Sequence, residues 1–331
     1  MASTTAQRRR DRPPGGPAAE PAGRGRGAPP AGGADLGPLA ACIERHERAL
    51  RRCRKRFSEK SVHRLRIATR RLLAQIELVR PLVGARNFRR ARRGLRRQLR
   101  ASTLLRDAQV HLLQVRALLA ERPELAPVCR VMEKNERCLR RLTARKLKGG
   151  AKLSRRLKAI KRGAATELGA PGSARRQREA VRTALLRAAG RLAASRGGPP
   201  GDPEGIHRLR VALKKFRYIA ESLPAGLSVL TPKEASGVRR LLDLTGEMRD
   251  LELLTASVKA IATRKMRARG RLAPLWRALR REQAARTGVW RRRSRELHAT
   301  LDAVFQADAR LARQPQRGGP AAPPAARRRH P

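Results

Sequence analysis

His63 and His207 each open a row of basic side chains at helical spacing. In "SVHRLRIATRRLL", residues 61–73, His63, Arg66 and Arg70 recur three and four residues apart. In "GIHRLRVALKKFR", residues 205–217, His207, Arg210 and Lys214 repeat the row position for position. On an α-helix that spacing places each trio on one stripe. The chemistry open to such a stripe is anion binding. Arg offers a bidentate fork to phosphate oxygens, Lys a mobile point charge, and His a charge that depends on pH. Arg66 and Arg70 are like charges one turn apart, which costs roughly 0.2–0.5 kcal/mol on an isolated helix. That row makes sense where an anion lies along it. A merely solvated face has no need of a histidine at the same helical position twice.

Catalysis at the histidines is the alternative chemistry, and the sequence argues against it. Glu59 and Glu204, the carboxylates within a turn of them, fall in first helical turns, where they complement the helix dipole. Asp107 and Asp250 stand beside Arg106 and Arg249 and read as helix-start charges or ion-pair partners. His46, His111, His298 and His330 show no metal-ligand spacing, and HExxH, GxxxxGK[ST] and GxSxG are absent. Cys42, Cys53, Cys129 and Cys138 are spread without a Cys-x-x-Cys pair and read as buried free thiols. The expectation is a binding protein rather than an enzyme, with no catalytic residue, cofactor or metal.

The elements that position these rows are helical. Val62, Leu65, Thr69, Leu72, Ile76 and Val79 form an apolar stripe rotated roughly 120° from the basic one. Ile206, Leu209, Leu213, Phe216, Ala220 and Leu223 form its twin, and both stripes are expected in core. Ser58 and Asp202 stand at matching N-cap positions, with Pro203 tolerated in the first turn. Elsewhere Leu, Ala and Arg dominate, β-branched alternation is absent, and Pro or Gly clusters arrive at intervals suited to helix ends. The class is all-α. Helices are predicted near 38–56, 59–80, 86–102, 105–121, 125–148 and 152–167, with a second set from 174 to about 310. Trp276 and Trp290, on the last long helix, are expected in core.

The rows belong to an internal repeat. A shift of 144 pairs His63 with His207, Arg66 with Arg210 and Arg70 with Lys214. A shift of 143 lays "LRRQLRASTLLRDAQV" (95–110) on "VRRLLDLTGEMRDLEL" (238–253), pairing Arg106-Asp107 with Arg249-Asp250. So long a period implies two helical bundles related by a pseudo-twofold axis, not a solenoid. An axis of that kind would bring the two basic rows together as a groove or central pore.

Charge narrows the partner. With 80 Lys+Arg against 26 Asp+Glu, the 331-residue chain carries a formal +54 and must repel itself when compact unless anions bind. An Arg-rich composition inflates that figure without explaining where the charge sits. Nucleic acid, inorganic phosphate polymers and anionic membrane surfaces are the candidate counter-ions. Two Trp, one Tyr and four Phe leave few faces for stacking single-stranded bases. Residues 1–36 and 313–331 are Ala, Gly, Pro and Arg with almost no large apolar side chain, and read as disordered basic tails. No signal peptide and no stretch of roughly 18 apolar residues is present, so a cytoplasmic location is expected.

The paired His-Arg helices, each followed some 40 residues later by Arg-Asp-x-x-Val/Leu (Arg106 to Val110, Arg249 to Leu253), resemble the CHAD family, the histidine-bearing all-α domain. The resemblance covers about residues 37–312, with repeat 1 at about 37–170 and repeat 2 at about 173–312. It implies two four-helix bundles around a pseudo-twofold, with a basic central pore that binds inorganic polyphosphate. The anion contacts it implies are His63, Arg66, Arg70, His207, Arg210 and Lys214. Arg64, Arg71, Arg208 and Lys215 widen that surface, and Arg106 and Arg249 are lesser contacts. The sequence departs from the pattern at Thr103, where the second copy has Gly246, so the two turns before Arg-Asp are expected to differ. No phosphate-processing domain of the kind often fused to the family is attached, which implies a stand-alone binder associated with polyphosphate or storage granules. Two other readings stay open. One is a DNA compactor holding duplex phosphates non-specifically through its basic tails. The other, weaker, is a granule-surface protein with basic amphipathic helices.

Overall fold

A computed structural model describes residues 36–121, 123–195, 202–223, 229–264 and 276–290, with residues 292 and 302. The tails expected at 1–36 and 313–331 lie outside the described residues, apart from Leu36 at the head of the first helix. Every regular element among the described residues is helical: α1 (Gly37–Arg56), α2 (Glu59–Leu78), a short 3₁₀ turn (Arg80–Leu82), α3 (Ala85–Ala101), α4 (Thr103–Leu118), α5 (Ala126–Leu147), α6 (Ala151–Gly169), α7 (Ser173–Ala193), α8 (Pro203–Ala220) and α9 (Pro232–Arg264). A second 3₁₀ turn (Pro123–Leu125) precedes α5, and residues 276–290 are also helical. No described helix is long and apolar enough to cross a membrane.

The motif helices start as their sequences dictate. Ser58 Oγ accepts from the Ser61 N–H at 3.3 Å, and the Asp202 carboxylate accepts from the Glu204 and Gly205 N–H groups at 3.1 and 2.8 Å. Phe57, in the left-handed region at φ 44°, turns α1 into α2, and its carbonyl accepts from Gln109 Nε2. Both apolar stripes are core. Val62, Leu65, Thr69, Leu72, Ile76 and Val79 are buried, as are Leu209, Leu213 and Phe216, while Ile206, Ala220 and Leu223 pack half-buried beside them.

Each motif helix anchors a separate set of neighbours. Leu72 and Ile76 of α2, with Val79 just past its end, join α1, α3 and α6 in one cluster, and Val62 and Leu65 join α1, α4 and α5 in another. Leu209, Leu213 and Phe216 of α8 join α7, α9 and Trp290. Ala74 and Leu78 of α2 enter that last cluster too, so the two motif helices α2 and α8 pack on each other. Gln75 Nε2 donates to the Ser222 carbonyl at 2.9 Å across this seam. Below it, α4 packs on α9.

Two expectations about packing change. Trp276 is only half-buried, with Lys259 and Arg280 over its ring at 5.7 and 5.9 Å, so of the two tryptophans Trp290 alone fills core. Its flanking cations favour the ring's electron-rich face over apolar burial. All four cysteines are free, but only Cys53 and Cys129 are buried; Cys42 is half-buried and Cys138 exposed. The departure at Thr103 has a structural counterpart. The first repeat breaks at Ser102 between α3 and α4, whereas α9 runs unbroken through Gly246.

Candidate anion-binding site

α2 and α8 bring the two basic rows into a single field. His63 feels Arg106 and Arg70 of its own repeat and Lys214 of the other. Arg210 feels Arg70 and Asp107 across the seam, and Lys214 feels Arg70. The rows are thus halves of one cluster: His63, Arg66, Arg70 and Arg106 against His207, Arg210, Lys214 and Arg249. Asp107 and Asp250 lie within it, and neither pairs with the arginine beside it. Arg106 instead pairs with Glu59, and Arg249 with Glu252 at 2.8 Å.

Three of the remaining sequence candidates, Arg71, Arg208 and Lys215, face other groups. Arg71 is exposed and faces Cys42 of α1. Arg208 folds back on the head of its own helix, 3.3 Å from Asp202 and 3.6 Å from Glu204. Lys215 is exposed toward Arg191, Arg96 and Arg92, a different group of cations. Arg64 is exposed on α2.

Arg66 and Arg210 hold equivalent positions with different surroundings. Arg66 is 8% exposed, and its Nη1 donates to the Leu99 carbonyl (2.8 Å), Ser102 Oγ (3.1 Å) and Thr103 Oγ1 (3.1 Å). It clips the break between α3 and α4. Ser102 and Thr103 also return hydroxyl bonds to preceding carbonyls, the kind of back-bonding that bends a helix. Arg210 has no such clip. Its guanidinium lies over Gly246, where an added Cβ would come within 3.2 Å of Nη2, and its buried Nε has no hydrogen-bond partner. Glycine leaves that guanidinium room but no hydroxyl. One copy of the arginine is consumed by the fold, and the other is left with donors to give.

Burial sets the protonation of the cluster. Desolvation, then the Arg210, Arg70 and Arg217 charges, pushes the Lys214 ammonium down to about 7, with Asp250 opposing. The Arg66 guanidinium is lowered to about 10, chiefly by burial and then by Arg70, and stays charged at neutral pH. Both motif histidines fall below their ordinary range. For His63 the causes are burial and then Arg106; for His207, burial and then Arg249. Each is therefore mainly neutral at pH 7 in the free protein. Lys214 is the group poised there.

Sequence reasoning missed two features. His111 of α4 is buried with its Nε2 unpartnered, facing Asp107 and Asp250, and its burial lowers its pKa. No periodic signal marks it, because its repeat partner is Leu254. A further basic group on α3 and α7, including Arg92, Arg96 and Arg191, surrounds Lys215. The spacing of three and four in Arg89, Arg92 and Arg96 was a signal that could have exposed it.

The sequence matches the CHAD domain family over residues 36–228, a span that includes both motif helices. Among solved structures, the CHAD domain from the plant Ricinus communis is similar at TM-score 0.50 and 18% identity, covering 84% of this chain and 91% of that one. PptA from Streptomyces chartreusis is similar at TM-score 0.46 and 19% identity, covering 84% of this chain and 97% of that one. At such identities the likeness to the plant domain speaks to the fold alone. No curated protein sequence matches.

Proposed function

The chain belongs to the CHAD domain family, and on that premise we propose that it binds inorganic polyphosphate between its two motif helices and catalyses no reaction. The observation that carries this reading is the convergence of Arg70, Arg210 and Lys214 from two helices onto one place. Cations gathered in a half-buried seam carry a cost: burial first, and then the Arg210 and Arg70 charges, lower the Lys214 ammonium. A bound polyanion removes it. Successive phosphates of a flexible chain match a row of cations better than one compact anion does, with Arg70 and Arg210 as forks and Lys214 as a point charge. Arg66 acts from behind, holding the α3–α4 break, and Arg106 and Arg249 flank the row while tied to Glu59 and Glu252. His63 and His207 sit at the head of each row and gain charge as phosphate approaches.

A double-mutant cycle tests the shared site. Arg70→Ala and Arg210→Ala should each weaken polyphosphate binding by about 1–3 kcal/mol, and their combination should depart from additivity by more than about 0.5 kcal/mol. Strict additivity would mean two independent surfaces, as expected of a protein that coats a polyanion non-specifically.

A further inference from the structure

A cavity of about 270 Å³ lies away from the histidine cluster, and five arginines line it: Arg80, Arg89, Arg92, Arg187 and Arg191. Its apolar floor is Phe88, Ala184 and Ile219, each buried to 6% exposure or less. Arg89 and Arg92 belong to α3, and Arg187 and Arg191 are one turn apart on α7, so the walls come from both repeats. The two walls sense each other. Arg96 is shifted down by burial and then by Arg92, with Arg191 contributing, while Lys215 is shifted down by burial and then by Arg191, Arg96 and Arg92.

Most of this charge has no counter-ion. Glu77 is the one carboxylate on the lining, and Arg92 Nε already donates to it at 2.8 Å. Arg80 stacks on Phe88, 5.3 Å from the ring centroid. Arg89, Arg187 and Arg191 pair with no carboxylate among the described residues. The cavity thus offers unpaired guanidinium groups at its rim and apolar surface at its floor. Such a combination suits a ligand with one anionic end and one apolar end. A bare phosphate polymer has no apolar group to place against that floor.

We propose that this cavity binds a small organic phosphate, a phosphate monoester on a compact apolar or aromatic body. Arg89, Arg187 and Arg191 take the phosphate, and Phe88, Ala184 and Ile219 take the body. The cavity shares no lining residue with the cluster around His63 and Lys214, so the ester has contacts separate from those of the polymer. Because its walls belong to both repeats, the bound ester also ties the two halves of the chain and raises its melting temperature.

Calorimetric titration of the full chain at fixed ionic strength tests this with phenyl phosphate and orthophosphate as probes. Phenyl phosphate should occupy one site, about tenfold more tightly than orthophosphate. R187Q/R191Q, two exposed positions, should weaken it about tenfold or more, and R89Q on the opposite helix should weaken it in the same direction. The charge-matched R155Q/K158Q on α6 should leave it unchanged. A saturating amount of long-chain polyphosphate should not displace it. That arm alone rests on the function proposed above; if the polymer fails to bind, that function falls and the cavity does not. Equal binding of the two probes, wild-type affinity in both R187Q/R191Q and R89Q, or displacement by the polymer would each overturn the assignment.

Discussion

Removing the charge of Lys214 should change how polyphosphate binding responds to pH. In the free protein this ammonium titrates at about 7, because it is buried beside Arg210 and Arg70. Bound phosphate restores its ordinary preference for the charged form, so binding takes up a proton wherever the free amine is neutral. With a pKa of about 7, roughly nine-tenths is neutral at pH 8 and roughly one-tenth at pH 6. The sign follows. Affinity rises as pH falls toward 7 and levels off below it, by about tenfold between pH 8 and 6, or about 1.4 kcal/mol. His63 and His207 titrate below their usual range and add their share at more acidic pH. Calorimetry in two buffers of different ionisation enthalpy should count about three-quarters of a proton taken up at pH 7.5. Lys214→Gln should bind more weakly at pH 6 and lose most of the slope between pH 6.5 and 8. A wild-type profile flat over that range, or a variant that keeps the full slope, would exclude Lys214 as the group that takes up the proton.

The same burial reverses the sign for stability. Without an anion, the unfolded state holds the Lys214 proton more firmly than the folded state, so Lys214→Met should raise the melting temperature at pH 7 while weakening polyphosphate binding. Arg66 and Arg210 should separate by assay: Arg66→Ala should lower stability by about 1.5–3 kcal/mol in denaturant unfolding, whereas Arg210→Ala should cost little stability and mainly affinity. Gly246→Thr should offer Arg210 the hydroxyl partner that Thr103 gives Arg66, and weaken polyphosphate binding about fivefold in a fluorescence titration. Deleting 1–36 and 313–331 together should slow association in stopped flow while preserving the preference for polyphosphate, since those segments supply long-range attraction.

Much of this was legible in the sequence because periodicity is a physical record of burial. The stripe from Val62 to Val79 named the core face of α2, and Ser58 and Asp202 named where the motif helices start. Within the candidate site, helical spacing groups both rows but cannot separate their members. Arg66 and Arg70 look alike in sequence, yet one is spent on Ser102 and Thr103 and the other stays available. Such a difference depends on what α3 and α4 place opposite α2, which no local pattern encodes. The same holds for Arg71, Arg208 and Lys215, whose directions are set by α1, by the head of α8 and by α7. Helical spacing also left protonation open, because desolvation at Lys214 arises from the seam between repeats. Under the proposed function, the pH response expected of the histidines therefore passes in large part to a lysine.

The most direct test of the central claim is a competition titration of long-chain inorganic polyphosphate against duplex DNA, at matched phosphate concentration and near-physiological salt. A single seam built from Arg70, Arg210 and Lys214 predicts that polyphosphate displaces DNA and that R70A/R210A removes the preference, because a flexible chain enters a seam that a stiff duplex cannot. If DNA instead displaces polyphosphate, or the two compete in proportion to charge alone and the variant changes nothing, the chain is a general polyanion binder and the seam is not its site.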